Sequence, residues 1–207
     1  MKKIKILVEG IADLKFFRDY FKHLYPNIIL KTDIDEKDNK FIEFIYNGYE
    51  VVLKRIGGCD NISIVKNELE NSLNNGYENI IVFDADTNFA TKKEQIEKKF
   101  KNLYKDLFLI PNNCNTGCLE DLLENIMTDK RPAECWSEYE KNIILKKLNI
   151  LSKKTKIYVW LENILGSSVK SKKLCKEVNR DYTNKNIWNL NSEFLEPLKI
   201  FIDKNIQ

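Results

Sequence analysis

Apolar residues fall along the first half of the chain in short runs that alternate with stretches of helical spacing. "KIKILVEG" (3–10) is an apolar run ending in glycine, which predicts a buried strand and a turn. "IADLKFFRDYFKHL" then places Leu14, Phe17 and Phe21 one helical turn apart, with Pro26 ending the helix. Residues 28–47 read as a charged hairpin, "IILKT" and "FIEFI" about a turn at "DEKDN". "EVVLKRIGG" predicts a second core strand closed by Gly57 and Gly58. Asp60 is placed to cap a helix in which Ile62, Val65, Leu69 and Leu73 share a face and Gly76 marks the end. "NIIVFDAD" is a third core strand. "TKKE" (91–94) reads as a capping box opening a helix with Ile96, Phe100 and Leu103 inward, and "LFLIP" (107–111) as a fourth core strand.

Strands alternating with helices in this way predict an α/β fold, a Rossmann-like, mostly parallel sheet with helices on both sides. After residue 111 the spacing turns helical: 119–127, 136–151, 156–165 and 192–206. The expected organisation is an α/β core over 1–127 and a helical, Lys-rich extension over 128–207 packed on it, one domain overall.

Composition limits the function classes. With 43% hydrophobic and 31% charged residues a core can form, and the chain is not of the disordered class. No apolar run is long enough for a membrane span and no signal-peptide pattern opens the chain, so a cytoplasmic protein with no membrane partner is expected. Five cysteines at irregular spacing suit reduced thiols; Cys114 and Cys118 in "CNTGC" have a metal-like gap, but no second Cys/His pair follows. His23 is the sole histidine and lies in a helix, which argues against Ser–His–Asp chemistry.

The chemistry lies in the carboxylates. "IIVFDADTN" (80–88) runs a buried strand into Asp84 and Asp86 and contains no Lys, Arg or His. Two carboxylates held close require a proton or a cation. In open α/β sheets ligands bind at the carboxyl ends of the strands, where Glu9 also falls, with Asp13 in the first turn of the next helix. On the helix of "GCLEDLLENIM", Glu120 borders the apolar face and reaches inward, whereas Asp121 points nearly opposite, solvated or bracing the site from behind. A lone Glu after a strand is usually a turn or cap residue, and a lone D-x-D is common in loops. The combination on one sheet edge is the donor set that Mg²⁺ or Mn²⁺ prefers, with a cation between Asp84 and Asp86 and Glu9 opposite.

"ILVEG" (6–10), "VFDAD" (82–86) and the strand–helix order between them resemble a TOPRIM domain, the metal-binding module of topoisomerases, primases and OLD-type (overcoming lysogenization defect) nucleases. "VEGIADLKFF", "GCLEDLLENI" and "IWNLNSEFLEPLKIFI" are similar to small stand-alone TOPRIM-like bacterial proteins of unassigned function related to the OLD nucleases. The resemblance implies a magnesium- or manganese-dependent nuclease acting on DNA or RNA, in phage defence or nucleic-acid processing. It implies that Glu9 is a metal ligand and general acid/base, that Asp84 and Asp86 hold the metal, and that Asp13 and Glu120 are further acidic ligands with Asp121 adjacent. Glu9, Asp84 and Glu120 are then the catalytic residues, and Gly10, Gly57 and Gly58 keep the strand-end turns open. The nuclease branch also carries a catalytic lysine, for which Lys170, Lys172 and Lys173 in "SSVKSKK" are the first candidates. This chain lacks the Walker A loop that accompanies OLD nucleases, so a separate ATPase is a partner the resemblance allows, as is a homodimer.

Charge distribution bears on the partner. Net charge is only +3, but residues 146–185 hold 11 basic and 3 acidic residues, interleaved with Tyr158, Trp160 and Tyr182. Such a stretch can lie along a phosphate backbone and stack bases, or it is simply a solvated lysine-rich surface. Two other readings compete. One is a non-catalytic TOPRIM module that binds metal, nucleotide or a partner without turnover. The other is a haloacid-dehalogenase-like phosphatase in which "FDADTN" supplies the nucleophile Asp84 and the acid/base Asp86. That motif normally opens its fold, whereas here two strand–helix units precede it.

Overall fold

The first apolar run forms β1 (Lys2–Val8) in a computed structural model that describes residues 1–33, 41–57 and 62–206. It is followed by α1 (Ile11–Leu24), β2 (Ile29–Thr32), β3 (Phe41–Tyr46), β4 (Tyr49–Arg55), α2 (Ile62–Asn74), β5 (Tyr77–Asp84), α3 (Phe89–Lys99) and β6 (Asp106–Ile110). These strands make one six-stranded sheet in the order β2-β3-β4-β1-β5-β6. β4, β1, β5 and β6 run parallel; β3 is antiparallel to both β2 and β4. The sheet is therefore mostly parallel with helices on both faces, as the alternation predicts.

Period-two alternation in the central strands feeds the two faces. Ile80, Val82, Phe108 and Ile110 point into the larger core beneath α1, while Ile81, Phe83 and Leu109 point into a smaller one with Val65 and Leu69 of α2 and Ile96 of α3. Both sides being covered is why β1 and β5 read as near-continuous apolar runs.

Several boundaries differ from those the sequence predicts. The β3–β4 connection is a second hairpin, turned by Asn47 and Gly48 at φ 46° and 78°. Both central residues of a tight two-residue turn need positive φ, and Asn-Gly supplies it. α3 begins at Phe89, because Asn88 Oδ1 accepts from the Thr91 amide at 3.0 Å. "TKKE" thus lies inside the helix rather than capping it; Asn is a strong N-cap and sits earlier. The turn at "DEKDN", together with Gly58, Cys59 and the Asp60 cap, lies outside the described residues.

The C-terminal part adds α4 (Leu119–Ile126), α5 (Arg131–Leu145), α6 (Lys153–Leu165), α7 (Val169–Cys175) and α8 (Glu196–Ile206). α5 begins five residues before Trp136, with Pro132 in its first turn, where a missing N–H costs nothing. α6 and α7 are capped by Ser152 and Ser168. Trp160, Trp188, Leu198 and Phe201 of this part belong to the same apolar cluster as β1, β5 and β6, and Phe201 meets Phe108 of β6 at 5.2 Å between ring centroids. Each buried side chain of this size stabilises the fold by about 1.5–3 kcal/mol.

Polar anchors fix the extension to α1. Buried Asp19 accepts from the Tyr182 amide at 3.0 Å and from Arg18 Nε at 2.7 Å, and Lys15 Nζ donates to the Val178 carbonyl at 2.7 Å. Residues 178–182 are thereby held along α1. Among the described residues no helix is long and apolar enough to cross a membrane.

Candidate functional site

Parallel register sets the strand ends level. Val8 pairs with Arg55 on one side and Val82 on the other, and Asp84 pairs with Ile110. The residues at those ends line a crevice of about 350 Å³ at the carboxyl edge of the sheet: Glu9 after β1, Arg55 and Gly57 at β4, and Asp84 at the end of β5. α1 contributes Asp13 and α4 contributes Glu120, both buried. Lys154 and Glu177 complete the wall from the C-terminal part.

Three of these carboxylates are oriented by backbone amides. Glu9 Oε1 accepts from the Asp84 amide at 3.1 Å, Asp84 Oδ1 from the Leu119 amide at 3.0 Å, and Asp13 Oδ2 from the Gly10 amide at 2.8 Å. Asp84 therefore links the end of β5 to the first residue of α4. Asp13 reaches back to the residue before its own helix in the manner of a capping box. Gly10 has ordinary extended φ, and its value is room: a Cβ there would meet Asp13 Oδ2 at 3.0 Å.

The electrostatics follow from burial. Burial first, then Asp13, Glu9 and Glu120 around it, push Asp84 up to about 9. Asp13 is pushed up to about 7, chiefly by burial and then by Glu9 and Glu120, against the lowering pull of the Gly10 amide. Without a bound metal ion, the ionised forms of Asp84 and Asp13 are disfavoured. Lys154 has its pKa raised: burial works against this, but Glu177, Glu120 and Asp13 outweigh it. Its ammonium lies 3.4 Å from Glu177 Oε1.

Of the sequence-predicted carboxylates, the structure brings Glu9, Asp13, Asp84 and Glu120 together and leaves Asp86 and Asp121 outside the wall. β5 stops at Asp84, and Asp86 lies in the following turn at φ 53°, bridged to Gly117 by reciprocal backbone hydrogen bonds of 2.9 and 2.8 Å. The alternation that would align residues 84 and 86 ends with the strand. The Asp86 carboxylate meets Lys92 Nζ of α3 at 2.5 Å, and the same ammonium is 3.9 Å from Glu9 Oε1. Asp121 accepts from the Cys118 amide at 2.7 Å and from Lys153 Nζ at 2.7 Å, so it braces the start of α4. Against the upward push of burial, these contacts hold it below the usual carboxylate range.

Lys170, Lys172 and Lys173 stand exposed on α7, with Lys172 paired to Glu162 at 3.3 Å, and none of them lines the crevice. The cations beside the carboxylates are instead Arg55, Lys92 and Lys154. Arg55 was findable by the strand-end argument that marks Glu9. Lys154 reaches the wall only through tertiary packing. The thiol pair at "CNTGC" does not form a thiolate site: Cys114 is exposed, and burial followed by the Glu120 carboxylate pushes the Cys118 thiol up.

The chemistry of the donor set suits a hard divalent cation: buried or half-buried carboxylate oxygens, no imidazole among the described lining residues, and basic groups in the same wall for an anionic partner. As arranged, no group of three His, Cys, Asp or Glu side chains among the described residues is able to hold one ion. Coordination therefore requires Asp13, Asp84 or Glu120 to turn toward a common point.

Comparison with known proteins bears on the family and the fold. A family model described as a protein of unknown function (DUF3226) matches residues 3–207. No curated protein matches the chain. The crystal structure of a hypothetical protein from Pyrococcus horikoshii is similar with a TM-score of 0.56 at 15% identity, covering 98% of this chain and 97% of that one. At that identity the likeness is one of fold.

Proposed function

The chain belongs to this DUF3226 family of unknown function, and for its acidic crevice we propose Mg²⁺- or Mn²⁺-dependent phosphodiester chemistry on nucleic acid, as a TOPRIM-type nuclease of the OLD-related branch. The single observation that carries the reading is the meeting of Glu9, Asp13, Asp84 and Glu120 in one crevice at the carboxyl ends of parallel strands, with Arg55 and Lys154 in the same wall.

Glu9, Asp84 and Glu120 would be the principal ligands, with Asp13 beside them. A bound Mg²⁺ or Mn²⁺ supplies polarisation of the phosphoryl oxygen and a bound water of lowered pKa. The chain supplies the rest. Lys92 neutralises Asp86 and faces Glu9, fixing that side of the cluster, and Asp121 holds the α4 terminus that presents Glu120. Arg55 and Lys154 set positive charge where a phosphate would enter. We assign Lys170, Lys172 and Lys173, exposed on α7, to the substrate backbone away from the reacting group. A homodimer and a separate ATPase are the protein partners this reading allows.

A second reading is a metal-, nucleotide- or partner-binding module without turnover, which uses the same crevice. One experiment separates the two. Thermal stabilisation by Mn²⁺ is measured for wild type and Asp84→Asn, with cleavage of plasmid DNA and of RNA followed in the same samples. Stabilisation and cleavage, both lost in Asp84→Asn, support the nuclease. Stabilisation without cleavage supports the binding module. No response to Mn²⁺ removes the metal site, and with it the nuclease.

A further inference from the structure

A second cavity, of about 640 Å³, opens at the opposite ends of the helices that carry Asp13 and Glu120. α1 sets Lys22 and His23 of its last turn in that wall, and α4 ends there at Asn125 and Ile126. The floor is apolar: Met127, Trp188 and Leu190 are buried side chains with a face on the cavity. The rim is basic, with Lys22, Lys130 and Lys185, and no Asp or Glu among the described residues lines it.

The three ammonium groups are not equivalent. Lys130 Nζ donates to the Glu124 and Asn125 carbonyls at 2.7 and 3.0 Å and is committed to the C-terminus of α4. Lys22 faces Asp33 at 3.4 Å across an exposed gap. Lys185 is exposed and makes no ion pair among the described residues. Both the size and the make-up, an apolar floor with a few polar groups at the mouth, are those of small-molecule sites, which hold roughly 300–1,000 Å³. An inorganic anion would leave the apolar floor wet. A neutral apolar molecule would leave the lysines without a partner and would have to desolvate them.

We propose that this cavity binds a small organic anion with an apolar body: its carboxylate, sulfonate or phosphate group lies toward Lys22 and Lys185, and its body rests on Met127 and Trp188. The site is independent of whatever chemistry the carboxylate crevice performs.

The test titrates the full chain with 8-anilinonaphthalene-1-sulfonate, an organic anion of this shape, and with N-phenyl-1-naphthylamine, the same body without the charge. The sulfonate is expected to saturate one site. The neutral analogue, and the sulfonate on Lys185→Glu, are each expected to bind about tenfold more weakly, the size of one charge-assisted contact. Lys185→Arg and Asp84→Asn should bind as wild type does. Circular dichroism and melting temperature confirm that the exposed Lys185 variants are folded. Unsaturable binding, equal affinity for the neutral analogue, or unchanged affinity in Lys185→Glu overturns the proposal.

Discussion

Lys92 Nζ stands 2.5 Å from Asp86 Oδ2, so the second aspartate of the D-x-D pair has its counter-ion within the fold. The first has none among the described residues. Asp84 is half-buried beside Asp13, Glu9 and Glu120, and desolvation followed by those three carboxylates holds its pKa up, whereas the Asp86 side chain is 56% exposed. Two carboxylates one residue apart thus occupy opposite electrostatic states, one answered by the protein and one left for a proton or an external cation.

In chelator, Asp84→Asn is expected to raise the melting temperature by about 2–4 °C, corresponding to about 1 kcal/mol, because the amide removes the charge while its oxygen still accepts from the Leu119 amide. Asp86→Asn, which breaks an exposed ion pair, should lower stability by about 0–1 kcal/mol. The pH dependence has a definite sign. A folded pKa of about 9 against an ordinary 3.8 means that the ionised form opposes folding, so stability falls as pH rises through that interval. The gain from Asp84→Asn is therefore larger at the alkaline end of the window than near pH 5. Thermal melts in chelator at both pH values check this; a loss of stability at both would assign Asp84 a packing role instead.

Glu68 of α2 carries an acid-side prediction. It receives Lys54 Nζ at 2.6 Å and Lys5 Nζ at 3.0 Å, tying the helix to β4 and β1. Burial alone would raise its pKa, but the two lysines outweigh this and hold it below its ordinary 4.5. A depressed folded pKa contributes stability above the unfolded value that is lost as pH falls through the folded one. Glu68→Gln should cost about 1–2 kcal/mol at pH 7, with the difference from wild type closing below pH 4. Urea unfolding of the two proteins across that range measures it; a constant difference would mean shape, not charge.

Much of this site is legible in the chain, because a parallel sheet converts sequence position into spatial position. Once 3–10 and 79–86 are read as parallel strands, Glu9 and Asp84 must share an edge, and helical spacing alone turns Glu120 inward and Asp121 away. Asp86 was less legible. Its side chain is set by where β5 stops and by a left-handed backbone at the bridge to Gly117, neither of which alternation predicts. The hairpin at Asn47-Gly48 was legible from turn chemistry but is masked by the charged segment before it. Lys154 was not legible at all: it belongs to a lysine-rich helix start and gains meaning only when α6 is packed beside Glu177 and Glu120.

That packing supplies a comparison among lysines. Lys154 shares the crevice wall with Asp13, Asp84 and Glu120, whereas Lys172 is paired with Glu162 on the exposed α7. If the crevice cleaves phosphodiesters, a cation in its wall stabilises charge that develops on the phosphate, in a partly desolvated setting where the effect is large. Lys154→Met should then lower the Mn²⁺-dependent cleavage rate by about 100-fold, the scale of losing one such electrostatic contact. It should leave Mn²⁺ stabilisation intact or stronger, because the variant removes a cation that competes for Glu120 and Asp13. Lys172→Met removes one exposed charge and should weaken substrate binding only slightly, with a shallower salt dependence. Cleavage rates, salt dependence and metal-induced melting shifts of the two variants provide the check. Equal losses in both would place Lys154 in a diffuse binding surface, and loss of Mn²⁺ stabilisation in Lys154→Met would show that it positions the carboxylates rather than the substrate.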